Sequence, residues 1–189
     1  MTVIVVIACH FKSENELCDT TTQRLAAALS LSRQIDPKFG PTFIVTGNVP
    51  YQKGGATLAK LMQNWLYEHG IERNNAIIEK GVGIFSEAQT ITASKVGIFG
   101  KSTHLIVVSS GWYLWPGKAV WKKSARDNGL EISFHPVYST GGWRTRLTYA
   151  AYGAIVNISL VLGLSSLVEK RLSKMQEKRL EGFTWNGCA

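Results

Sequence analysis

Five short runs rich in Val and Ile punctuate the chain, at Val3–Cys9, Thr42–Thr46, Ala76–Glu79, Leu105–Ser109 and Glu131–His135. Longer segments of helical period separate them. Runs this short and this continuously apolar are strands buried on both faces, the pattern of a parallel sheet covered by crossover helices. The first helix is expected in "TTTQRLAAALSLSRQ", where Thr20 and Gln23 have the spacing of a capping box. Pro37 and Gly40 punctuate the return to the sheet. A second helix is expected over Thr57–His69, ending at Gly70, and a third from Ser86, which repeats the capping-box spacing with Gln89. A fourth is expected over Trp115–Asp127, with Pro116 in its first turn and Asn128-Gly129 at its end.

This alternation predicts an α/β fold: an open, mostly parallel, Rossmann-like sheet of about five strands with helices on both faces. The sheet-forming core would occupy residues 1–136 and a C-terminal helical pair residues 143–181, within a single domain of 189 residues. The segment Leu147–Val168 carries no charge over 22 residues and is flanked by Arg144, Arg146, Lys170 and Arg171, so its length permits a membrane span. Its composition argues for burial instead. Asn157, Gly153, Gly163, two tyrosines and four Ser or Thr hydroxyls leave it only moderately apolar, and a five-stranded sheet needs helices to cover its outer face. A core position or a homodimer interface is expected, not a membrane. The N-terminal run "TVIVVIAC" lacks a basic flank and reads as a strand, not a signal peptide.

In open α/β sheets, ligands collect at the carboxyl ends of the strands, beside helix N-termini. Those ends gather the candidate binding residues His10, Thr46, Gly47, Asn48, Ser109, Ser110 and Gly111, with Glu79 as the candidate catalytic carboxylate. His135 lies at another such end. Gly47 suits a positive φ or a close ligand approach. Glu87, in the first turn of the third helix, is favoured there by about 0.3–1 kcal/mol from the helix dipole alone. Trp112, Tyr113 and Trp115 stand where a ring-stacking wall or lid would sit, or where large aromatics anchor packing. A nucleophilic Ser110 is not expected, because no G-x-S-x-G elbow surrounds it.

Charge narrows the ligand. Lys and Arg number 21 against 13 Asp and Glu, a net +8 that favours anionic partners. Lys118, Lys122 and Arg126 recur along the fourth helix without interleaved aromatics, which fits a solvated face better than a nucleic-acid surface. The three cysteines, Cys9, Cys18 and Cys188, form no CxxC, and their odd number fits thiols in a reducing, cytoplasmic setting. Neither HxxxH nor HExxH occurs, and no metal site is expected from spacing.

The order of motifs resembles the YdcF/SanA/ElyC family of bacterial α/β proteins over about Val3 to Pro136. Arg24 in "TTTQRLAAAL", Thr46 and Gly47 in "IVTGN", Ala59 and Met62 in "ATLAKLM", Glu79 and Glu87 in "EKGVGIFSEA", Ser109-Ser110 and Lys118-Ala119 carry the resemblance. Leu58, Val82, Phe85, Ala88 and Tyr113 replace polar residues of the family pattern. The resemblance implies a Rossmann-like domain that binds a nucleotide-like or S-adenosylmethionine-like molecule and acts on it as a transferase or hydrolase. In that reading Glu79 is general base or orienting group, and the replaced polar residues imply a changed ligand. Some relatives serve the cell envelope, which gives a membrane-associated envelope factor as an alternative, beside a basic nucleic-acid-binding module.

Overall fold

The computed structural model describes residues 1–35, 40–48, 50–52, 54–78, 84–99, 103–138, 143–164, 166–168, 170–171 and 174. Strand β1 (Thr2–Val6) is followed by a hairpin of β2 (Phe11–Ser13) and β3 (Glu16–Leu17), then helix α1 (Asp19–Ser32). Next come β4 (Thr42–Val45), α2 (Leu58–Glu68), β5 (Ala76–Ile78), α3 (Ile84–Phe99) and β6 (His104–Ser110). The described elements close with α4 (Gly111–Asp127), β7 (Glu131–Val137) and α5 (Trp143–Val161). Strands β5-β4-β1-β6-β7, in that order, form one open Rossmann-like sheet in which every neighbouring pair is parallel. The five expected strands are therefore present. The winding reverses between β1 and β6, the position at which such sheets open a crevice at their carboxyl edge.

Alternation along the strands divides the core in two. Ile4, Val6, Phe43, Val45 and Val108 pack with Leu25 and Ala28 of α1 and Met62 and Leu66 of α2. Val3, Val5, Ile44, Leu105 and Val107 pack on the other face with Ile91, Leu114, Trp121 and Val156 from α3, α4 and α5. Each fully buried aliphatic side chain contributes about 1.5–3 kcal/mol. One polar contact interrupts the second layer. Thr92 Oγ1 of α3 and Ser124 Oγ of α4 lie 2.6 Å apart, and Asn128 Nδ2 donates to Thr92 Oγ1 at 3.3 Å and to the Ser124 carbonyl at 2.9 Å.

Helix starts depart from the sequence expectation where local chemistry is unusual. Helix α2 begins as expected, with Thr57 Oγ1 accepting from the Lys60 N–H, and Gly70 follows its end at φ +89°. Helix α1 is capped two residues earlier than Thr20, by the sulfur of Cys18 accepting from the Thr21 N–H at 3.4 Å. Helix α3 begins at Ile84, ahead of Ser86. Helix α4 begins at Gly111, not Trp115, because β6 runs to Ser110 and enters the helix with no intervening loop. Strand β7 likewise continues to Val137, so His135 lies within the ladder opposite Val108 rather than at its end.

The uncharged C-terminal segment is only partly core. Val156 and Ser159 are buried, whereas Leu147, Ile155, Ile158 and Val161 are exposed. Helix α5 stops before Gly163, which takes φ +69°, and helical backbone resumes at 166–168. Among the described residues no helix is long and apolar enough to cross a membrane.

Candidate functional site at the strand ends

The reversal between β1 and β6 is filled from below by an arginine. Helix α1 buries Leu25 and Ala28 against the sheet, and Arg24 lies on the same inward side with no exposed surface. Its Nη1 donates to the carbonyls of Ile7 (2.8 Å) and Ala8 (3.0 Å), just beyond β1. Its Nε and Nη2 donate to Ser110 Oγ, at 3.2 and 2.9 Å, at the end of β6. A planar fork of donors suits this bridging of two strand ends. Above it, the guanidinium carbon is 5.5 Å from the Trp112 ring and 5.8 Å from the Tyr113 ring, within cation–π range. Those two half-buried rings meet edge-on at 6.4 Å.

The arginine changes what Ser110 does. Ser110 is the residue before the first turn of α4, yet it makes no side-chain cap bond to that helix; its hydroxyl accepts from Arg24 instead. Ser109, on the opposite face of β6, has a buried Oγ with no hydrogen-bond partner among the described residues. Gly111 is exposed as the first residue of α4.

On the neighbouring strand, Thr46 is fully buried and its Oγ1 accepts from the Ala8 N–H at 3.2 Å, while its own N–H donates to the Val6 carbonyl. Gly47 takes φ +95°, the left-handed region expected for it. The close approach at Gly47 is made by the protein itself: an added Cβ would lie 2.7 Å from Ala8 Cβ and 3.0 Å from Leu58 Cβ. Thr46 and Gly47 thus shape the floor by holding the loop after β1. Asn48 is half-buried beside them.

That loop carries a second cluster. The Cys9 N–H donates to Thr21 Oγ1 at 3.1 Å, and His10 Nδ1 lies 3.1 Å from Cys9 Sγ. The β2–β3 hairpin then turns the chain back, so that the Cys18 N–H donates to the His10 carbonyl at 3.3 Å. Cys18 Sγ, Cys9 Sγ and a ring nitrogen of His10 all fall within 4.8 Å of one another. A hydrogen bond from Cys9 holds the Cys18 thiol far below the usual thiol range, at about 3; burial opposes this, and His10 and Thr21 reinforce it. Sequence spacing gave no metal motif, but the fold assembles two sulfurs and an imidazole.

The structure thus brings His10, Thr46, Gly47, Ser110, Trp112 and Tyr113 to one region, the first three on loops and the last two on the first turn of α4 rather than on a loop. Trp115 stands further along α4 and is 63% exposed. Glu87 is buried in the first turn of α3. Glu79 lies outside the described residues. Sequence reasoning passed over Arg24, Cys9 and Cys18 as site residues. The available signal was the adjacent Cys9-His10 at a strand end and the pattern "FKSENELC", whose Glu14-Asn15 turn pairs Phe11 with Leu17.

The chain matches no protein-family model, no curated protein and no solved structure.

Proposed function

We propose that the protein binds an anionic, nucleotide-like or S-adenosylmethionine-like small molecule in the crevice between the ends of β1 and β6, as the YdcF-like resemblance implies. The observation that carries the reading is the diversion of Ser110. Its hydroxyl serves Arg24 and makes no cap bond to α4, whose first turn lies at the strand ends beside a buried guanidinium. A helix N-terminus carries a partial positive charge of about half a unit, and the guanidinium that bridges the two strand ends lies at the same place. Both favour an anion there, and the net charge of +8 favours its approach. Trp112 and Tyr113, half-buried over the guanidinium, are the aromatic groups beside which a planar group such as a purine would lie.

The test is thermal unfolding of the protein with AMP, ADP, ATP, S-adenosylmethionine and inorganic phosphate in turn. A ligand at a hundred times its Kd adds about 2.7 kcal/mol to the native state and raises the midpoint. Trp112→Ala should then weaken the nucleotide by about 1–3 kcal/mol. If no member of the panel raises the midpoint, the reading is wrong.

A further inference from the structure

We infer that Cys9, His10 and Cys18 supply three ligands to a site for a zinc-class divalent ion. Two cysteine sulfurs and one imidazole nitrogen are the ligands of thiophilic, tetrahedral ions and are poor ligands for magnesium or calcium. Among the described residues, these three are the group of Cys, His, Asp or Glu side chains whose ligand atoms converge.

Distances support the assignment. Zinc–sulfur bonds of about 2.3 Å and a zinc–nitrogen bond of about 2.1 Å place tetrahedral donors roughly 3.5–3.8 Å apart. His10 Nδ1 and Cys9 Sγ are 3.1 Å apart, and all three donors lie within 4.8 Å. Closing on an ion therefore asks the first pair to open by about half an ångström, with the third donor adjusting by about one at most. Side-chain rotation on the loop after β1 supplies movements of that size without disturbing the sheet.

The backbone around the donors is already held. Thr21 Oγ1 accepts from the Cys9 N–H and lies 3.3 Å from Cys18 Sγ, and the Thr21 N–H donates to the same sulfur. The Cys18 N–H is tied to the His10 carbonyl. Outer hydrogen bonds of this kind orient ligands and retain negative charge on sulfur. Cys18 is buried, whereas Cys9 and His10 are half-buried, so an ion would be gripped from the helix side and reached from the other. Binding is charge-balanced without any redox step: the ion replaces the thiol protons, up to two of which pass to solvent, and the imidazole binds neutral. This site stands on its three donors and is independent of the anion-binding reading.

The experiment titrates the reduced, chelator-stripped full chain with Co2+, and with Zn2+ in competition against a chromophoric chelator. One equivalent should bind, with sulfur-to-cobalt charge-transfer absorption in the near ultraviolet and visible bands of tetrahedral intensity. Zn2+ should displace the Co2+. Cys9→Ser and His10→Ala each remove one half-buried donor and should each weaken Zn2+ by more than about tenfold, the least that loss of even an outer partner costs. Circular dichroism of the same variants checks that the fold is retained, and Cys18→Ser keeps an oxygen cap for α1. Absence of the charge-transfer absorption, or binding unchanged in Cys9→Ser and His10→Ala, would overturn the assignment.

Discussion

Arg24→Met keeps an unbranched stem in the core and removes the fork that joins β1 to β6. Among the described residues at least three acceptors lose charged donors: the Ile7 and Ala8 carbonyls, and Ser110 Oγ, which accepts twice. A buried acceptor left short of its donor costs about 1–3 kcal/mol, so three give roughly 3–9 kcal/mol. Sparing the guanidinium its desolvation returns several kcal/mol, and the net expected is about 3–5 kcal/mol. That is a large part of the roughly 5–15 kcal/mol available to a domain. Arg24→Lys keeps the charge without the fork and should cost less than Met but more than 1 kcal/mol. Urea unfolding at unchanged slope measures each loss as a shift in midpoint. Ser110→Ala completes a cycle with Arg24→Met, in which a coupling of at least about 0.5 kcal/mol is expected for side chains in direct contact. A loss below about 1 kcal/mol in Arg24→Met, or additivity with Ser110→Ala, would refute the view that this arginine holds the strand ends together.

Two further outcomes follow from the same loop. Gly47→Ala should destabilise by more than about 1 kcal/mol, since it combines a left-handed backbone with a Cβ 2.7 Å from Ala8 Cβ; an unchanged unfolding midpoint would show that the loop after β1 moves freely. Cys18 has its folded pKa lowered to about 3 from an ordinary 9.0, so between those values the unfolded chain binds a proton that the folded chain does not. Its contribution is therefore full above pH 9 and is lost as pH falls toward 3, and the stability of the unmodified protein relative to Cys18→Ser should rise with pH across that window; parallel pH profiles of the two would contradict it.

The sheet was legible because its strands are continuous Val and Ile runs, a signal that depends on neighbours in sequence. All five were placed to within a few residues, whereas His135 fell within its strand rather than at its end. The N-terminal limits of the helices were less legible. Cys18 caps α1 through sulfur, which lies outside the usual oxygen-cap pattern, and the passage of β6 directly into α4 turned expected loop aromatics into helix residues. Arg24 was visible only as part of a motif. Nothing in "TTTQRLAAAL" says that the charge turns inward, because the Ile7 and Ala8 carbonyls and the Ser110 hydroxyl that it bonds meet only when β1 and β6 become neighbours. The Cys9–His10–Cys18 cluster was hidden for a similar reason: a hairpin of five strand residues, too short to show a period, brings the ends together.

The hydroxyl contact between Thr92 and Ser124 bears on how the crevice responds when something enters it. Ser124 lies twelve residues beyond Trp112 on the same helix, about 18 Å at 1.5 Å per residue. An apolar helix pair can slide by fractions of a turn at small cost, but a buried hydroxyl pair at 2.6 Å resists being stretched, even though Thr92 Oγ1 would keep the Ala88 carbonyl and Asn128 Nδ2 as partners. Sliding of helix α4 along its axis is therefore resisted at its far end, well away from its first turn. Any adjustment beside its first turn would then come from rotation of the Trp112 and Tyr113 rings rather than from a shift of the helix.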